Sequence, residues 1–216
     1  MKIDKGYIVG KGNDFFGLNY ESLLNEFLNS NENVLENEFS IIYSLDRVDN
    51  VKITKHDSLL NQNIKKEELL KKPNLVQIWF ETQVETNKEI EIKLEKLSEY
   101  CHYKLINYYD NKLSFGKPFF QLSLYNKDCF IENHKDGYDS MDNRLCVIIL
   151  YLNKDWENGM GGELIITDEN GNKIIVEPKF GNFAIFDFTK ANLEHEVKKV
   201  ISETFNRKAL ISFMVK

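Results

Sequence analysis

Hydrophobic and polar positions divide this 216-residue chain into two differently patterned halves. In the first half, apolar residues recur at spacings of three and four. Leu18, Leu23, Leu24, Phe27 and Leu28 predict a short amphipathic helix near 18–29. Leu94, Leu97, Cys101, Leu105 and Tyr108 predict a longer one over roughly Asn87–Tyr109, packed by one stripe on a sheet. Residues 64–71 read as a charged helical stretch ending before Pro73, and Glu38–Leu45 and Leu75–Val84 read as strands.

From Pro118 onward the period shortens to two. PFFQLSLY, RLCVIILYL, GELIIT, KIIVEP, NFAIFDF, HEVKKV and RKALISFMV follow one another with turn signals between them. The turns are Asn158-Gly159, Gly161-Gly162, Asp168-Glu169-Asn170-Gly171 and Lys179-Phe180-Gly181, and Asn170-Gly171 is a hairpin signal. About seven strands with no intervening helix predict an antiparallel sandwich or barrel. The expected fold is mainly β: a double-stranded β-helix, or jelly roll, braced outside by N-terminal α-helices. We read residues 1–216 as one domain, with 1–115 an α/β support region and 116–216 the jelly-roll catalytic core.

Composition narrows the function. Hydrophobic residues make up 42% of the chain, enough for a real core. The net charge of −6 is spread over interleaved acids and bases, which argues against a nucleic-acid surface. No apolar run reaches membrane-spanning length. The opening Met-Lys-Ile-Asp-Lys-Gly has no apolar stretch of a signal peptide. Three cysteines (Cys101, Cys129, Cys146) without a CxxC suit a reducing compartment, and a cytoplasmic location is expected.

Candidate chemistry concentrates in the second half. His134 and Asp136 are two residues apart, so an extended backbone turns both to one face. His195 follows His134 by 61 positions and Arg207 follows His195 by 12. Two imidazoles and one carboxylate are the ligand set of an iron(II) facial triad with open coordination positions. The other histidines, His56 and His102, are read as structural or solvent-facing. In the last strand Arg207 alternates with Ala209, Ile211 and Phe213, so an inward face would bury its guanidinium and require an anion. Lys198, Lys199 and Lys208 are the alternative anchors. Tyr151 shares a strand face with Val147 and Ile149, which allows an inward position.

The motif order around these residues carries a resemblance. It runs Arg144-Leu-Cys-Val-Ile-Ile-Leu-Tyr151-Leu-Asn153-Lys154-Asp155-Trp156, then Gly161-Gly162-Glu163-Leu164, Val176-Glu177-Pro178-Lys179-Phe180, His195-Glu196-Val197 and Arg207. Residues 120–215 thereby resemble the prolyl 4-hydroxylase-like branch of iron(II)/2-oxoglutarate dioxygenases, nearest in motif to the oxygen-sensing prolyl hydroxylases. The resemblance implies iron(II) on His134, Asp136 and His195, and 2-oxoglutarate as co-substrate, with ascorbate as an optional reductant. It also implies Arg207 on the distal carboxylate, with Tyr151 and Tyr125 as pocket tyrosines. Dioxygen and a peptide, protein or small-molecule substrate are the implied partners.

Two features depart from the branch. Residues Phe188–Glu194 lack the proline that relatives often carry before the histidine, and the interval to Arg207 is slightly long, so the chain near Glu203 must bulge. Asp136 keeps the carboxylate that halogenating relatives lack, so hydroxylation is favoured. The expected activity is hydroxylation of a C–H bond, foremost in prolyl residues of a peptide or protein. Hydroxylation of a free amino acid or other metabolite is the alternative, and a non-catalytic cupin-like binding protein a second one. The segment Lys135–Asn143 and the Trp156–Met160 turn are expected to frame the cavity mouth.

Overall fold

The computed structural model describes residues 5–28, 51–54, 75–80, 96–97, 99–101, 103–105, 119–125, 127–135 and 144–215. These build two antiparallel sheets. The strands are β1 (Tyr7–Lys11), β2 (Val51–Thr54), β3 (Leu75–Phe80), β4 (Phe119–Tyr125), β5 (Ile131–His134) and β6 (Arg144–Tyr151). They continue as β7 (Leu164–Thr167), β8 (Lys173–Val176), β9 (Asn182–Asp187), β10 (Glu194–Val197) and β11 (Arg207–Val215). The larger sheet runs β1-β9-β6-β11-β4-β3-β2 and the smaller β5-β10-β7-β8. This is the double-stranded β-helix that the strand pattern predicts.

Alternation along the central strands gives the large sheet two apolar faces. Cys146, Ile148 and Leu150 of β6, with Phe183, Ile185, Leu210 and Met214, meet Phe16, Tyr20, Leu24, Phe27, Leu97, Cys101 and Leu105 in one core. Val147, Ile149 and Tyr151, with Ala184, Phe186 and Ala209, meet Leu164, Ile166, Val176 and Val197 of the small sheet in the other. Helical residues therefore brace the outside of the large sheet, and the space between the sheets is the second core. Leu97, Cys101 and Leu105 fall on the predicted stripe, and the described residues between 96 and 105 are helical.

The first predicted helix is present over 20–28, with Leu24 and Phe27 buried and Leu23 and Leu28 packed against the core, and with one correction at its start. Leu18 lies before it and is 88% exposed, whereas Tyr20 is fully buried. Tyr20 fits because Gly12 has no side chain: a Cβ there would lie 1.9 Å from the Tyr20 ring. The N-terminal half also contributes strands directly to the large sheet, β1 against β9 and β3 against β4. The predicted elements at 38–45 and 64–71, and both His56 and His102, lie outside the described residues.

The Asn170-Gly171 signal is a hairpin turn joining β7 to β8. Gly171 takes φ +80°, and the Asp168 carboxylate accepts from the Asn170 and Asn172 backbone N–H groups.

Candidate active site

The two sequence-distant histidines are brought together by strand pairing. β10 runs antiparallel to β5, and His195 lies directly opposite His134. The register then slips, so that Val197 faces Ile131. One extra residue in β5 bulges the edge and turns residues three apart, Ile131 and His134, to the same side. The imidazole centroids are 4.3 Å apart. His195 is buried beside Phe186, ring centres 4.7 Å apart. On β10, His195 and Val197 point inward while Glu194 is exposed.

Both imidazoles are oriented in the same way. His134 Nδ1 lies 2.8 Å from the Glu132 carbonyl, and His195 Nδ1 lies 3.1 Å from the Leu193 carbonyl. A carbonyl only accepts, so each Nδ1 carries the proton in a neutral ring. The lone pair is then on Nε2, the arrangement in which histidines bind metals. Outside the pair, Glu194 ties the two strands. Its carboxylate accepts from Asn133 Nδ2 at 3.0 Å and pairs with Lys135 at 4.0 Å, so it holds the neighbours of His134 on both sides. Among the described residues the cluster offers these two imidazoles as ligands; Asp136 lies outside the described residues.

Arg207 is 2% exposed, at the start of β11. Its Nε donates to the Gly162 carbonyl at 2.8 Å. Its guanidinium carbon lies 4.5 Å from the Tyr125 ring centre and 5.2 Å from that of Tyr151. Tyr125 is its cross-strand partner, and Tyr151 lies opposite Ala209. Among the described residues no carboxylate pairs with this buried cation. The Tyr151 hydroxyl is likewise buried with no hydrogen-bond partner there. Burial pushes the Tyr125 phenol up to about 12, with the Arg207 cation opposing the rise. Burial raises Tyr151 as well, again against the pull of Arg207. A buried cation and a buried hydroxyl, both short of partners, form a cradle for an anion with acceptor oxygens.

The paired glycines make room for this cradle. Gly162 (φ +82°) passes so close that a Cβ would stand 3.1 Å from Arg207 Cδ. Gly161 lies against the Lys199 carbonyl, where a Cβ would intrude to 2.0 Å, and its own carbonyl accepts from Trp156 Nε1 at 2.8 Å. Trp156 is therefore a buried pin of the turn. Of the alternative cations, Lys199 pairs with Asp128 at 3.7 Å; in the long interval the side chain of Glu203 bonds Lys127.

Sequence reasoning missed β5 as a strand, because four residues with one apolar side chain (Ile131) carry almost no periodicity. It also missed Asn153. This residue is 3% exposed and hydrogen-bonds both Pro178 and Lys208.

The fold defines the class first. It is a jelly roll whose intersheet space holds paired imidazoles and a buried arginine. Residues 120–215 match the 2OG-Fe(II) oxygenase superfamily, and the fold is prolyl 4-hydroxylase-like. Iron(II) and 2-oxoglutarate are the metal and co-substrate of that superfamily. Solved structures share the fold. A Pseudomonas putida prolyl-4-hydroxylase is 16% identical, covering 98% of this chain and 93% of its own, with a TM-score of 0.60. A Trichoplax adhaerens prolyl hydroxylase, in complex with a peptide fragment of the hypoxia inducible factor oxygen degradation domain, is 15% identical. It covers 98% of this chain and 84% of its own at a TM-score of 0.65. The viral collagen prolyl hydroxylase of Paramecium Bursaria Chlorella virus-1, a 2OG complex, is 19% identical over 98% and 96%, with a TM-score of 0.53. No curated protein matches the chain. Among the described residues no helix is long and apolar enough to cross a membrane.

Proposed function

We propose that this chain is an iron(II)- and 2-oxoglutarate-dependent hydroxylase whose substrate is a prolyl residue in a peptide or protein. The observation that carries the reading is the pairing of His134 with His195 alongside the Arg207–Tyr151 cradle, in which, among the described residues, the cation has no carboxylate partner and the hydroxyl no hydrogen-bond partner. The donor set fits the metal: two imidazoles whose Nδ1 atoms face backbone carbonyls, which leaves Nε2 as the metal-binding nitrogen, with Asp136 expected as the carboxylate ligand. The cradle fits the co-substrate, because a dicarboxylate supplies both the anion for Arg207 and an acceptor for the Tyr151 hydroxyl. When bound, iron(II) with 2-oxoglutarate and dioxygen supplies the oxidation that turns a C–H into an alcohol, with succinate and carbon dioxide released.

The chain's own residues bind, orient and shield. Arg207 takes the distal carboxylate and Tyr151 donates to the same co-substrate. Phe186, Leu164, Ile166 and Val197 keep bulk water from the intersheet space. A peptide substrate is supported by the structural likeness to prolyl hydroxylases, including one in complex with a peptide.

The test is succinate production from 2-oxoglutarate with iron(II) and ascorbate, against proline-containing peptides and free amino acids. A gain of one oxygen by mass on a peptide proline supports the proposal. The same gain on a free amino acid alone would move the substrate class, and no succinate under any condition would reject turnover. His134→Ala and Asp136→Ala should each abolish succinate formation and weaken metal binding. Full turnover by either variant would remove that residue from the metal site.

A further inference from the structure

The ladder between β6 and β11 ends at Tyr151 opposite Ala209. Beyond it, a side chain continues the pairing. Asn153 Oδ1 accepts from the Lys208 backbone N–H at 2.7 Å, and Asn153 Nδ2 donates to the Lys208 carbonyl at 3.1 Å. One carboxamide thus meets both polar groups of one residue, as an opposing peptide unit would. The same Nδ2 donates to the Pro178 carbonyl at 2.6 Å, and the Asn153 carbonyl accepts from the Phe180 N–H at 2.7 Å. Lys208 is the residue immediately after Arg207.

From this geometry we infer that Asn153 is a positioning residue for the co-substrate anchor: its carboxamide fixes the first backbone units of β11 and so sets where the Arg207 guanidinium stands. The inference rests on the proposed role of Arg207. On the other side the Arg207 backbone pairs with Tyr125, at the end of β4, and its Nε donates to the Gly162 carbonyl. Leu152 N–H reaches the Lys208 carbonyl at 3.2 Å, a bond at the long limit for N–H donors, so Asn153 supplies the short contact on this side. Asparagine and glutamine carry a donor and an acceptor side by side on one planar carboxamide. Asparagine has the reach, whereas aspartate would place a carboxylate against two carbonyl oxygens. Losing the clamp lets the Lys208 backbone shift and weakens the charge-assisted Arg207 contact, whose full loss is roughly 10- to 150-fold in affinity.

A control separates anchoring from general packing. Asn182 is also buried and donates to a backbone carbonyl of the same segment, Glu177 at 2.9 Å, but its strand β9 does not pair with β11. The experiment is calorimetric titration of 2-oxoglutarate into the manganese(II)-loaded protein, with steady-state kinetics alongside. Asn153→Ala and Asn153→Asp should raise the 2-oxoglutarate Kd and KM by about 10-fold or more. Their kcat at saturating co-substrate and their manganese affinity should stay within about threefold of wild type, and Asn182→Ala should leave the 2-oxoglutarate Kd unchanged. If Asn153→Ala does not fold, Asn153→Asp, which keeps the acceptor for the Lys208 N–H, decides. A folded Asn153 variant with wild-type Kd overturns the inference, as does an equal rise in Asn182→Ala. Wild-type protein that binds no 2-oxoglutarate instead overturns the proposed function itself.

Discussion

Replacing Arg207 by methionine tests the cradle most directly, because it separates function from stability. Arg207 is 2% exposed and among the described residues has no carboxylate partner. Burying an unpaired cation costs several kcal/mol, offset here by one charged hydrogen bond to Gly162 and two ring contacts. The bond is worth about 1.5–3 kcal/mol and each ring contact about 0.5–2 kcal/mol. These terms nearly cancel, so Arg207→Met should leave the metal-free, ligand-free protein within about 1 kcal/mol of wild type, or stabilise it. Binding of 2-oxoglutarate behaves differently. A lost charge-assisted contact of about 1.5–3 kcal/mol corresponds to a roughly 10- to 150-fold weaker Kd. Thermal unfolding of the ligand-free protein measures the first quantity and calorimetric titration of 2-oxoglutarate the second. A variant that unfolds many degrees lower yet binds 2-oxoglutarate normally would refute the reasoning, and the anchor would move to Lys198, Lys199 or Lys208.

Two further predictions follow from the same pocket. Tyr151→Phe removes a buried hydroxyl that has no partner among the described residues. Ligand-free stability should therefore hold or rise by about 1 kcal/mol while 2-oxoglutarate binding weakens about 5- to 10-fold, read by the same two assays. For Tyr125 the prediction is alkaline. Burial raises its pKa to about 12, above its ordinary value of 10.0. The folded state then holds the proton more tightly than the unfolded one, so this contribution is intact below pH ~10 and is lost as pH rises towards ~12. Melting temperature measured from pH 8 to 12 should fall less steeply in Tyr125→Phe; an unchanged slope would exclude Tyr125 as a source of the loss.

Strand alternation made much of this legible in the chain. In β6 the residues from Cys146 to Tyr151 are apolar on both faces, which is the signature of a central strand covered on both sides. The inward phase of Arg207, Ala209 and Tyr151 followed from that period of two, and the structure has them there. The helix at 20–28 was legible in kind and in the phase of Leu23, Leu24, Phe27 and Leu28, but not at its start, where Tyr20 rather than Leu18 is buried. Its burial is decided by the gap that Gly12 leaves for Tyr20, a contact no local pattern records.

Tertiary structure decided the remainder. Which histidine meets which depends on the register of β5 against β10, and β5 is a four-residue edge strand with a bulge. Register is a property of two strands, so neither segment alone encodes it. Sequence named His134, Asp136, His195 and Arg207 as residue types suited to one chemistry. Only the fold could set the two imidazole centroids 4.3 Å apart with each Nδ1 directed at a backbone carbonyl. Only the fold, too, could show that among the described residues the buried Arg207 charge has no carboxylate partner and the buried Tyr151 hydroxyl no hydrogen-bond partner, and that a carboxamide 54 residues earlier than Arg207, on Asn153, grips the strand beside it. The reason is physical: period and composition fix which face a side chain takes, while desolvation and partner geometry exist only once distant segments close around it.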